Sequence, residues 1–179
     1  MNKYSVLMSV YYKEKPDFLV KSIDSILNQT VSPDEFIIVE DGPLGEELNE
    51  VLNKYEKDYS IIKLLKLEKN GGLGNALNAG LKICQNELVA RMDSDDISLP
   101  DRCQKELACF EKDRELDVVG GQIDEFVDNT DNIISSRKVP LFDKDIKKFA
   151  RRRSPFNHPT VMYKRSKVLK FGGYTSSGR

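Results

Sequence analysis

Apolar residues along this chain alternate between short runs and helical stripes. Residues 4–10, Tyr-Ser-Val-Leu-Met-Ser-Val, read as a strand. Pro16-Asp17 then opens a helix, because proline presets φ and an acid suits the helix dipole. Phe18, Leu19, Ile23, Ile26 and Leu27 form its apolar face, and Asn28-Gln29-Thr30 and Pro33 close it. The same alternation predicts strands over residues 35–39, 61–67 and 88–92. Between them, Leu44, Leu48, Val51, Leu52 and Tyr55 mark one helix, and Leu73, Leu77, Leu81 and Ile83 another. Leu99-Pro100-Asp101 opens a further helix with Leu107 and Phe110 inward. Strands alternating with helices predict an α/β fold, a Rossmann-like, mostly parallel sheet with helices on both faces. Right-handed crossovers put the four strand ends on one rim, which gathers Ser9, Asp41, the loop at Asn70 and residues 93–96.

The pattern changes after residue 116 into a small mixed β region. Residues 117–121 read as a brief strand, and residues 123–127 and 133–139 as a hairpin around the polar turn 128–132. Residues 143–153 read as a basic helix, 160–163 as a last strand, and 164–171 as a helix stopped by Gly172-Gly173.

Composition narrows the field without deciding it. A chain of 179 residues suits one domain, and a net charge of −1 gives no field for nucleic acid. No apolar run is long enough to span a membrane. The start runs straight into a strand, which leaves no room for a signal peptide. Cys84, Cys103 and Cys109 form no framework and read as reduced thiols of a cytoplasmic protein.

The candidate chemistry starts at Asp93-Ser94-Asp95-Asp96. Like charges at the end of a buried strand need solvent or a cation. An Asp-x-Asp pair there suits Mg²⁺ or Mn²⁺. The competing reading is a solvated loop in which Asp96 or Ser98 caps the next helix. A calcium loop of the EF-hand type fails, since Ser98 and Gln104 stand where it needs Gly and Glu. Asp41 ends the second strand, where nucleotide-binding sheets read a ribose or base, but Asp41-Gly42-Pro43 would make a turn anyway. Asn70-Gly71-Gly72-Leu73-Gly74-Asn75 enters a helix and could present N–H groups to phosphate, or could be a plain tight turn. His158, the only histidine, is either structural or a ligand. The run from 144 to 153 reads as a solvated face, with attraction to anionic lipid or a phosphorylated acceptor as the minority reading.

Taken together and in order, these stretches resemble the family 2 glycosyltransferases, which have the GT-A fold. The matching pieces are Val6-Leu7-Met8-Ser9-Val10-Tyr11, Ser22-Ile23-Asp24-Ser25-Ile26-Leu27-Asn28-Gln29-Thr30, and Phe36-Ile37-Ile38-Val39-Glu40-Asp41-Gly42. The Asn70 loop with Ala76-Leu77-Asn78, then Ala90-Arg91-Met92-Asp93-Ser94-Asp95-Asp96-Ile97, Leu99-Pro100-Asp101-Arg102 and His158-Pro159-Thr160-Val161-Met162 follow.

The resemblance implies a UDP-sugar donor bound with Mn²⁺ or Mg²⁺, and transfer to a glycan or lipid-linked acceptor with inversion. It places Ser9, Tyr11 and Asp41 at the base, with Asn70 and Asn75 near the nucleotide. Asp93 falls at ribose and metal, Asp95 at the metal, Arg91 among the substrate-binding residues, and His158 on the acceptor-side wall. It divides a single GT-A domain, 1–179, into a nucleotide-binding half, 1–116, and the start of an acceptor half, 117–179. The general base is expected beyond Gly172-Gly173-Tyr174 and therefore past Arg179, as in the donor-binding part of a longer enzyme. Tyr12 stands where the family often has Asn. The implied location is cytoplasmic, with contact to the inner membrane face. The rival functions are a sugar-nucleotide nucleotidyltransferase and a non-catalytic nucleotide-binding module. The first is disfavoured by the lack of glycine in residues 11–16.

Overall fold

The structure is a computed structural model and describes residues 3–175. β1 (Tyr4–Val10), β2 (Glu35–Glu40), β3 (Ile62–Lys66) and β4 (Leu88–Asp93) are parallel, and the main sheet has the order β3-β2-β1-β4-β8-β5. β8 (Met162–Lys164) is antiparallel to both β4 and the short β5 (Val118–Val119). β6 (Ile123–Phe126) and β7 (Ile133–Arg137) form a separate hairpin.

Both faces of the central strands are covered, which explains their nearly continuous apolar runs. On one face Val6, Met8 and Val10 pack with α1 (Pro16–Leu27), α2 (Glu46–Asp58) and α4 (Arg102–Lys112) through Leu19, Ile23, Leu52 and Phe110. On the other, Leu7, Ile37 and Val39 meet Ala76, Leu77 and Leu81 of α3 (Leu73–Ile83). α3 lies so close that a Cβ on Gly80 would sit 2.4 Å from Leu7 Cδ1 and 2.7 Å from Val39 Cγ2.

Four expectations about the elements need correction. Phe18 is exposed, with Lys15 Nζ 4.9 Å from its ring centre, because the buried stripe is carried by Leu19, Ile23 and Ile26. α4 begins at Arg102, not at Leu99, which is exposed; Leu99 O accepts from Gln29 Nε2 as well as from Arg102 N–H, and Pro100 O accepts from Thr30 N–H. The basic helix is shorter than read: α5 (Asp143–Phe149) buries no side chain, and a short helix without packing does not propagate. The last strand, read over 160–163, starts later: Thr160 closes a 3₁₀ turn, His158–Thr160, with its N–H and Oγ1 donating to Asn157 O, and β8 starts at Met162. α6 (Arg165–Lys170) follows.

The excursion between β5 and β8 is held at its neck. Asn157, buried, donates Nδ2 to Gly121 O at 3.0 Å, and Gly121 N–H donates to Thr160 Oγ1 at 2.9 Å. No residue of β7 or α5 is buried.

One buried acid sets a pH dependence. Glu106 is buried beside Arg102, whose Nε donates to Oε1 at 3.1 Å, while Oε2 has no partner among the described residues. Burial pushes its carboxyl up from 4.5 to about 7, against the lowering effect of Arg102. The folded state therefore holds this proton where the unfolded chain has lost it. The stability this contributes is complete below pH 4.5 and is lost as pH rises through about 7. Glu106→Gln is expected to raise unfolding free energy at pH 8 by about 1–2 kcal/mol, with no gain near pH 4. Urea titrations at the two pH values check this.

Candidate active site

The parallel register brings the carboxyl ends of β1, β2 and β4 level. Ser9 pairs with Val39 on one side and with Asp93 on the other, and Asp41 N–H donates to Val10 O at 2.8 Å. Asp41 is buried at this rim. Its Oδ1 accepts from Gly71 N–H at 2.8 Å and its Oδ2 from Gly72 N–H at 3.0 Å, while Asn70 Nδ2 donates to Asp41 O at 3.1 Å. The carboxylate seats the glycine loop, and each oxygen keeps a lone pair for a further donor. Gly42 makes the seat possible, with φ +84° and the Asn70 backbone where a Cβ would stand. Asn75 is exposed and turned back on its own loop, Nδ2 to Gly71 O at 2.7 Å. Tyr11 and Tyr12 are exposed on the β1–α1 loop, their rings edge to face at 5.8 Å.

The acid loop follows β4. Oxygens of Asp93, Asp95 and Asp96 lie within 4.8 Å of one another. Asp96 therefore joins the two acids that the Asp-x-Asp spacing singles out. Neither Asp96 nor Ser98 caps a helix, since Asp101 is the residue before α4 and its side chain makes no capping bond. Burial, then Asp93 and Asp95, push the Asp96 carboxyl up to about 6. Asp95 is raised too, by burial and then by Glu14 and Asp93. Glu14 is the residue the sequence pattern did not flag; it accepts a hydrogen bond from Ser94 Oγ, between the acids. An all-oxygen set whose members repel one another fits a hard divalent cation.

Arg91 lies in the same strand, 1% exposed, and pairs through Nη2 with Asp93 Oδ1. Its Nε and Nη1 are buried without partners among the described residues. His158 is near enough for both charges to act on it. Burial first, then Arg91, lower its pKa to about 4 against the opposing pull of Asp93, so the imidazole is neutral at pH 7. Its ring meets Tyr174 edge to face at 5.5 Å. Tyr174 is itself clamped by Asn78 of α3, which bonds its N–H and its O, each at 2.7 Å. Ser9, Asp41, Arg91, residues 93–96 and His158 thus share one rim. The general base expected past Arg179 lies outside the described residues.

The family model described as "Glycosyl transferase family 2" matches residues 5–172. An uncharacterized glycosyltransferase of Haemophilus influenzae is 45% identical over 172 residues, covering 96% of this chain and 64% of that protein. The UDP-Gal:alpha-D-GlcNAc-diphosphoundecaprenol beta-1,3-galactosyltransferase of Escherichia coli is 42% identical, covering 96% and 62%. The chain thus spans less than two thirds of the length of these relatives. Among solved structures, S. aureus TarS 1–349 in complex with UDP superposes with TM-score 0.70 at 23% identity, covering 96% of this chain and 49% of that one. The mannosyltransferase PcManGT of Pyrobaculum calidifontis, in complex with GDP-Man and Mn²⁺, does so with TM-score 0.70 at 15% identity, covering 98% and 48%. A match over residues 5–172 and a parallel sheet with an acid loop at its carboxyl rim make this chain a member of glycosyl transferase family 2 with the GT-A fold.

Proposed function

We propose that this rim binds the nucleotide diphosphate of a UDP-sugar, with Mn²⁺ or Mg²⁺ held by Asp93, Asp95 and Asp96. The observation that carries the reading is the convergence of these acids at the end of β4, beside the glycine loop seated on Asp41. Asp41, Ser9 and Tyr11 line the base side, with Asp41's free lone pairs open to a ring N–H. Asn70 and Asn75 shape the loop, and Asp93 serves both ribose and metal. A divalent ion held there neutralises charge building on the leaving diphosphate. Arg91 fixes Asp93 from within the sheet, and neutral His158 bounds the acceptor side. The E. coli relative's name specifies a UDP-sugar and a lipid-linked acceptor, and the TarS complex contains UDP, which support the choice of donor.

The wider reaction is sugar transfer to an acceptor hydroxyl with inversion, in polysaccharide or glycoconjugate synthesis. Residues 1–116 are its nucleotide half, and the residues from 117 onward belong to its acceptor half. A glycan or lipid-linked acceptor at the cytoplasmic membrane face suits the basic run Arg151-Arg152-Arg153. Among the described residues, no helix is long and apolar enough to cross a membrane.

Calorimetry of the chain with UDP, in Mn²⁺ and in EDTA, tests the reading. Saturable binding that Mn²⁺ tightens by about tenfold or more is expected, a coupling of about 1.4 kcal/mol. Equal affinity in the two buffers would remove the metal from the site. No binding in either would remove the nucleotide.

A further inference from the structure

The stretch Ser22 to Thr30 carries polar residues to which the donor-site reading gives no role. α1 is amphipathic, yet Ser22 is fully buried and Gln29, just past its end, is 5% exposed. Buried polar side chains need partners. Apart from bonds within the helix, these find them in the segment from Asp93 to Gln104. Ser22 Oγ donates to Asp93 O at 2.7 Å. Ser25 Oγ accepts from Ser98 N–H at 3.0 Å. Gln29 Nε2 reaches Ser98 Oγ at 3.1 Å and Leu99 O at 2.8 Å, and its Oε1 accepts from Cys103 N–H at 3.0 Å. Thr30 N–H donates to Pro100 O at 2.8 Å, and its Oγ1 to Gln104 Oε1 at 2.9 Å.

The segment these bonds hold is the one that carries the acids. Between β4 and α4 the chain has no helix or strand, so its backbone groups have no ladder of their own. Ser25 and Gln29, on one stripe with Ser22, supply that ladder from α1 and its end, while Ser22 bonds Asp93, the last residue of β4. Ser22 grips the carbonyl of an acid in the candidate ligand set. Gln29 fixes the outgoing limb, where Leu99 O is drawn to its amide and α4 starts late.

We infer that Ser22 and Gln29 are positioning residues for Asp93, Asp95 and Asp96, holding the three carboxylates in converging geometry before any cation arrives. The inference rests on the donor-site reading and assigns the helix that enforces it. Groups that orient metal ligands from behind typically change affinity by about 10–100-fold when removed.

The test counts free Mn²⁺ by its electron paramagnetic resonance signal in the presence of UDP, and measures UDP affinity in EDTA alongside. Ser22→Ala is expected to weaken Mn²⁺ binding by about 10–100-fold, and Ser22→Thr, which keeps the hydroxyl, to restore it. Gln29→Glu keeps the acceptor for Cys103 N–H but loses the donating amide, and is expected to weaken Mn²⁺ likewise. UDP affinity in EDTA stays at the wild-type value in all three. Wild-type Mn²⁺ affinity in Ser22→Ala overturns the inference, and so does a loss that Ser22→Thr leaves uncorrected or that UDP affinity in EDTA shares. If Gln29→Glu does not fold, the Ser22 pair decides alone. A wild-type chain that takes up no Mn²⁺ with UDP overturns the donor-site reading, and this inference with it, before any variant is compared.

Discussion

Asp95→Ala is expected to abolish the metal-dependent part of UDP binding, weakening Mn²⁺ by at least about 100-fold, close to the loss of one whole ligand. Asp95 is the most exposed of the three acids and makes no hydrogen bond through its carboxylate within the described residues, so its removal leaves the surrounding packing intact. The same substitution should leave the thermal midpoint in EDTA unchanged or higher. Burial first, then Glu14 and Asp93, raise the Asp95 carboxyl, so the metal-free loop carries a desolvation cost and repulsion that alanine relieves. Function lost with stability kept is the signature of a ligand. Calorimetry with UDP and Mn²⁺ and a melt in EDTA read both. A variant that binds Mn²⁺ and UDP as the wild type does would take Asp95 out of the site.

Gly42→Ala should damage both fold and site. A Cβ there would lie 2.4 Å from Asn70 N, 2.8 Å from Lys69 C and 2.9 Å from Asn70 Cα, all backbone atoms that cannot swing aside. The residue also sits at φ +84°, which an L side chain adopts at a penalty. Left-handed strain plus overpacking give a loss of about 2–4 kcal/mol. The displaced atoms belong to the loop whose Gly71 and Gly72 N–H groups bond Asp41, so UDP affinity in EDTA should fall as well. Urea unfolding and calorimetry together check it, and an unchanged variant would show that the loop does not depend on this close approach.

The parallel half of the fold was legible because its central strands are buried on both faces and its helices on one. β1 and the first turn of α1 lie where the apolar runs and Pro16-Asp17 predict. The rim assembled as the topology requires, with Ser9 beside Asp93. What stayed hidden depends on distant partners. Phe18 fits the apolar stripe of α1 in sequence, but Leu19 occupies the inward position. Leu99-Pro100-Asp101 looks like a helix start, but Gln29 and Thr30, some 70 residues away, bond the Leu99 and Pro100 carbonyls. Asp96 reads as a cap for the same reason. Glu14 has no local signal, since its partner Ser94 is 80 residues off. Arg91 stands out as a charge inside a strand, but its burial and its pairing with Asp93 are tertiary facts.

The excursion between β5 and β8 has a consequence of its own. Its two ends are joined through Asn157, Thr160 and Gly121, while β7 and α5 bury no residue. A segment with so little core opens at low free energy without unravelling the rest. Substitutions and changes of length there leave the buried strands untouched. Natural variation can therefore rewrite this part of the surface freely, while the sheet that carries the acid loop stays under strict steric control.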